Sequence, residues 1–213
     1  MLGVIGCLTL VGSVGNAYAG EVSDVKYRTN SKGELVIEDG EYTTIIGEPI
    51  TEVEGLKGKD AVKALQSRSV DLRLSFGVAN AVEFNVRYEN PVSKTYPVSV
   101  YQGTVKMYSC SAKITLKVSA TSDSNKSIKS TISTSNWVKN ANYAPVHSTS
   151  NSGAVSKIGA NTYSSLTVRV TPAGGRTKTF IYTCNNKTLS NLASNTQIGP
   201  GYRMQQYWSL IEM

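Results

Sequence analysis

Few residues in this chain are equipped for chemistry. The single histidine, His147, sits in the polar stretch 140–153. A Ser-His-Asp triad needs that imidazole as base, a carboxylate to orient it and a presented serine nucleophile. Serines are plentiful, but no G-x-S-x-G elbow occurs, and a solvated loop histidine is the simpler reading. Paired carboxylates could hydrolyse a glycoside. Beyond residue 60 the only acids are Asp71, Glu83, Glu89, Asp123 and Glu212. Asp71 and Glu83 fall on the polar faces of neighbouring expected strands, where a carboxylate is ordinarily just hydrated. No His/Cys cluster has metal-ligand spacing, and Glu38-Asp39-Gly40-Glu41 lacks the ligand pattern of an EF-hand loop. Phosphate-binding glycine motifs are also missing. The residues predict a protein without enzymatic activity, metal or cofactor.

Binding chemistry is better represented. Tyrosine, with twelve residues, supplies rigid contact area with a polar tip. Trp137, Tyr143, His147, Tyr101 and Tyr163 stand beside Ser, Thr, Asn or Gln. An aromatic ring with amide neighbours suits a glycan or a protein surface, through stacking and directional hydrogen bonds. These five are the candidate binding residues. For Trp137, as for Trp208, a place in the core is the simpler reading.

Residues 1–19 read as an export signal. They carry no charged side chain, hold an apolar run at 2–11, and end Ala17-Tyr18-Ala19 before Gly20, the small-x-small pattern of a cleavage site. The expected location is secreted, cell-surface or periplasmic. Cys7 falls inside that signal, which leaves Cys110 and Cys184. In an oxidising compartment such a pair predicts one disulfide. It would close a loop of about 75 residues and contribute about 4–5 kcal/mol.

The net charge of +7 is unevenly distributed. Residues 21–60 hold ten acids against five bases, whereas beyond Ala120 two acids face nine bases. The bases are spaced singly and never form a tight run. Solubility accounts for that spacing; an anionic surface remains a candidate partner, and nucleic acid does not.

The elements that must position these residues are strands. Val70, Leu72, Leu74 and Phe76 alternate with polar residues, as do Val82, Phe84, Val86 and Tyr88, so each run has one apolar face. Ile114, Leu116 and Val118 repeat the pattern, then Leu166, Val168 and Val170. Between Val100 and Val105 the phase reverses, predicting a β-bulge at Gln102-Gly103. Asp39-Gly40 predicts a type I′ hairpin turn, residues 173–176 another turn, and 123–127 and 140–153 loops. Asp60 can cap a short helix over 60–67, and the tail from Tyr202 reads as a closing strand. Short strands at regular spacing predict a mainly β protein, an antiparallel β-sandwich of Ig-like or jelly-roll-like type. The composition shift divides it into signal 1–19, an acidic β-hairpin region 20–58 and a disulfide-linked sandwich 59–213. The functional expectation is an exported non-enzymatic binding protein, adhesin-like or pilus-subunit-like. The alternatives are a membrane-active toxin using the Ser/Thr-rich hairpin around 113–134, or a hydrolase or inhibitor acting on envelope polymers.

Overall fold

The structure, a computed structural model, describes residues 25–53, 56–60, 81–122, 124–193 and 200–212. The expected signal, the expected strand 70–76 with Asp71, and the expected helix beyond Asp60 lie outside these residues. Lys59 and Asp60 are themselves helical.

The strands run in chain order β1 (Lys26–Thr29), β2 (Leu35–Asp39), β3 (Tyr42–Ile46), β4 (Ile50–Val53), β5 (Leu56–Lys57), β6 (Val82–Arg87), β7 (Val92–Gln102), β8 (Val105–Ser122), β9 (Asn125–Lys139), β10 (Val146–Asn151), β11 (Asn161–Val170), β12 (Lys178–Leu192) and β13 (Gly201–Glu212). They form two antiparallel sheets whose inner faces share a core, so the chain is a β-sandwich. In the first sheet, β3 and β4 lie end to end along one edge of β7. β2 and β1 continue outward from β3, while β8 and β9 occupy the other side of β7. The second sheet has the order β10-β11-β12-β13-β6.

Alternation becomes burial as the pleat requires. On β8, Cys110, Ala112, Ile114, Leu116 and Val118 are buried, while Lys117 and Ser119 are exposed. The apolar positions of the β8–β9 hairpin are thus buried against the second sheet. The acidic N-terminal strands join the same body: Leu35, Ile37 and Ile46 lie in the main core cluster. Where β7 passes from β4 to β3, the Gly47 N–H donates to the Pro97 carbonyl at 2.8 Å. Pro97 lacks an N–H, and that lack falls at this junction, where neither β3 nor β4 pairs with it.

Three local expectations change. In the β2–β3 turn only Gly40 takes positive φ, at 57°, which fits a type II′ turn over Gly40-Glu41 better than type I′. The hairpin turn falls at Gly103-Thr104, with Gly103 at φ 55°, and the register slips instead between Val100 and Tyr101. The stretch 140–153 is largely ordered: a 3₁₀ turn spans Ala141–Tyr143 and β10 follows. Loop-like composition misled there because an edge strand such as β10, exposed along most of its length, needs no apolar face.

The expected Cys110–Cys184 disulfide is absent. Both cysteines are buried free thiols. Cys110 projects from β8 near Tyr108 and Tyr182, and Cys184 from β12 near Tyr96 and Lys94. Facing sheets stand about 10 Å apart, whereas a disulfide needs Cα atoms within about 7 Å. Here Tyr96, Tyr108, Tyr182 and Trp208 fill the space between the sheets. Burial pushes the Cys110 thiol up to about 12 and Cys184 further up, so both behave as small apolar side chains at neutral pH.

The core is two apolar clusters separated by a polar belt. On β7, Tyr96 and Val98 belong to one cluster and Val92 to the other; Lys94 lies between. The same order recurs on β9 with Ser130 between Ile132 and Ile128, and on β13 with Gln206 between Trp208 and Met204. Asn186 stands opposite Gln206 on β12. The belt is hydrogen-bonded: Ser164 donates to Ser130 across the sheets at 2.9 Å, Gln206 Nε2 donates to Asn186 Oδ1 at 2.7 Å, and the Tyr96 hydroxyl donates to Gln206 Oε1.

Close backbone approach dictates one glycine. A Cβ on Gly201, opposite Arg87, would fall 1.8 Å from the Val86 carbonyl oxygen. Gly201→Ala is expected to cost about 1–3 kcal/mol by prising β6 from β13. Urea unfolding gives the cost, and faster exchange of the β6 amides locates it.

Candidate functional site

One end of the sandwich collects four connections: the β2–β3 turn, the β7–β8 turn, the segment between β9 and β10, and the β11–β12 loop at 171–177. Backbone bonds tie them together. Gly103 N–H donates to Glu41 O at 2.9 Å, Asn140 N–H to Met107 O at 2.9 Å, Thr171 N–H to Tyr143 O at 2.8 Å and Ala173 N–H to Asn142 O at 3.1 Å. A 3₁₀ turn therefore props the loop 171–177.

That turn rests on the aromatic residues singled out from the sequence. On β9 the buried positions are even-numbered through Ile132, until one extra residue between Ser135 and Val138 breaks the register. Asn136 takes φ 54° there and its amide donates to the Ser111 hydroxyl at 3.3 Å. A bulge re-aims the side chains that follow, and Trp137 turns onto the core. Its ring stacks on His147 with centroids 3.9 Å apart and planes 19° apart. Tyr108 lies 5.8 Å from the indole and the Lys139 ammonium 5.5 Å from it. Tyr143 packs against the same cluster. Trp137, Tyr143 and His147 thus share one region, but as a packed wall and not as an open platform. Burial, reinforced by the Lys139 charge, holds His147 below the usual imidazole range, which keeps the stacked ring neutral at neutral pH. Its Nδ1 is buried without a hydrogen-bond partner, so among the described residues no carboxylate orients it as a triad would require.

Trp137→Ala removes the surface on which His147 lies. The expected result is a loss of about 2–3 kcal/mol, below the range for a fully buried Trp, together with a rise of the His147 pKa toward its ordinary value. An NMR titration of the single imidazole reads the second effect.

The concavity lies beside this wall. It encloses about 430 Å³ and is lined by Glu41, Tyr42, Gln102, Pro172, Gly175, Arg176, Thr177 and Lys178. Its floor is rigid. Tyr42 meets Phe180 edge to face at 5.2 Å. The Lys178 ammonium sits 4.0 Å over the Tyr42 ring and 3.6 Å from the buried Asp39 carboxylate. Thr171 and Thr177 join hydroxyls across the loop at 2.9 Å.

The other two candidates fall elsewhere. Tyr101, half-buried, precedes Gln102 at the rim, with the Lys106 ammonium 5.6 Å from its ring. Tyr163 is 45% exposed toward the far end of β11. Its strand position is five residues from Val168, the partner of His147, hence about 17 Å away. Sequence reasoning missed Glu41, Gln102 and Arg176 as site residues. The turns that carry them are legible, but each contributes one ordinary polar side chain, and only the packing of separate turns brings them together. No protein family, curated protein or solved structure matches the chain, so geometry alone carries the functional reading.

Proposed function

We propose that the chain is an exported, non-enzymatic binding domain, adhesin-like in its mode of action, that meets a glycan or protein surface with the loop end of its sandwich. The observation that carries this reading is the polar concavity framed by the β2–β3 turn, the end of β7 and the loop 171–177. Loops held on a rigid scaffold are where sandwiches place recognition, and a concavity with a few convergent polar groups is the default binding site. The His147 environment also supports binding over acyl transfer, because the imidazole is committed to a stack and has no orienting acid among the described residues.

The test is a panel of immobilised glycans and extracellular matrix proteins. The domain carrying Gln102→Ala with Arg176→Ala is compared with the parent and with Lys117→Ala, on the outer face of β8. The loop-end variant is expected to lose at least about tenfold in affinity, equivalent to about 1.4 kcal/mol, while Lys117→Ala binds like the parent. Equal binding by all three removes the loop end as the recognition surface.

A further inference from the structure

We infer that the concavity beside Tyr42 takes a neutral sugar, gripping adjacent ring hydroxyls with Glu41, Gln102 and Arg176; this rests on the loop end being the recognition surface. The three side chains differ in hydrogen-bonding sense. A carboxylate only accepts, a guanidinium only donates, and an amide does both. Each is planar and presents two polar atoms side by side, the geometry that makes bidentate contacts. Neighbouring hydroxyls on a pyranose ring, each both donor and acceptor, match such a set.

Charge decides against an acidic ligand. Lys178 is balanced by Asp39 at 3.6 Å. Among the described residues neither Glu41 nor Arg176 has an ion pair, and both line the same concavity. An anion drawn to Arg176 would also meet the Glu41 carboxylate, whereas a neutral hydroxylated ring satisfies both. Pro172 and Tyr42 supply apolar wall for the C–H surface of the sugar. The volume of about 430 Å³ holds about one or two sugar units on the scale of known ligand pockets. Glu41 and Arg176 are exposed, so a longer glycan can run out into solvent.

The experiment applies the full chain and its Glu41→Gln, Arg176→Ala and Lys117→Ala variants to an array of neutral oligosaccharides, sialylated glycans, uronic-acid glycans and matrix proteins. Free methyl hexosides serve as competitors, and circular dichroism checks folding. Neutral glycans are expected to bind with little change up to about 0.5 M salt, where surface electrostatics are screened. Arg176→Ala and Glu41→Gln should each weaken them about tenfold, as loss of a charge-assisted contact does. Preference for acidic glycans that fades with salt overturns the neutral-sugar assignment and leaves the loop end as the binding surface. So does capture of a matrix protein alone, lost in Arg176→Ala. Neutral-sugar binding that no cleft variant changes sinks both readings, and binding to no member of the array overturns the inference.

Discussion

Lys94→Met should stabilise the domain by several kcal/mol at pH 6 and erase most of a stability rise between about pH 7 and pH 9.5. Lys94 is 4% exposed and points from β7 into the polar belt, with its ammonium 3.8 Å from the Phe84 ring centroid and the Cys184 thiol nearby. Among the described residues no carboxylate forms an ion pair with it. Burial lowers its pKa from 10.5 to about 7, and the Cys184 thiol opposes this more weakly. The folded protein therefore binds fewer protons than the unfolded chain between about pH 7 and 10.5, and stability rises with pH across that window. Below the folded value both states are protonated, and the full cost of burying the charge remains. The distance between 10.5 and about 7 corresponds to on the order of 4–5 kcal/mol. Methionine keeps the unbranched shape and removes the charge. Denaturant midpoints of both proteins from pH 6 to 9.5 measure the difference. The upper limit matters because the buried Tyr96, Tyr108 and Tyr182 hydroxyls, raised mainly by burial, cost stability once free tyrosine ionises near pH 10. A variant no more stable than the parent at pH 6 would mean that Lys94 is not buried as a bare cation.

The second large effect runs the other way. Gln206 is 1% exposed, and its amide accepts from the Tyr96 hydroxyl and donates to Asn186 Oδ1. Gln206→Leu keeps the volume close and strands both partners in the interior. An unsatisfied buried polar group costs about 1–3 kcal/mol, so the pair predicts a loss of about 3–5 kcal/mol. Adding Tyr96→Phe to Gln206→Leu should return part of that loss, because one orphan disappears with its partner; a double-mutant cycle isolates the coupling. If Gln206→Leu costs under about 1 kcal/mol, within reach of an ordinary surface change, the belt does not cooperate as a network. Its position suggests why a sandwich would keep such residues. Gln206, Lys94 and Ser130 each interrupt an apolar stripe between the same two clusters, so sliding one sheet over the other by a residue pair would press polar groups against apolar ones.

Sequence periodicity was enough to read β8 from Ile114 to Val118 and β11 from Leu166 to Val170, whereas β13 has helical as well as strand spacing and reads as a strand from its neighbours and the Gly199-Pro200-Gly201 turn before it. Those two runs alternate, and one inward face is the only solution a pleated strand offers. It failed for β10, whose side chains are mostly exposed and need no apolar pattern, and for the bulge at Asn136, where the added residue carries no mark in composition. The disulfide failed for a different reason. Even parity and compartment argue that two cysteines face inward, but not that they face each other. Trp137 and His147 were chosen for their types, and their contact is real, yet that contact spends the ring surface a ligand would need.

What the amino-acid order determined unaided was local: which residues turn inward, where the chain turns back, and how poor it is in groups for catalysis. Those features depend on neighbours a few residues apart, and period-two sterics transmit them directly. Only the tertiary structure could decide that Glu41, Gln102 and Arg176 surround one concavity, that Lys94 and Gln206 share one belt, and that Cys110 and Cys184 stand apart. Each of these depends on how two sheets are set against one another. That setting follows from the summed packing of many side chains, and no single stretch of the chain encodes it.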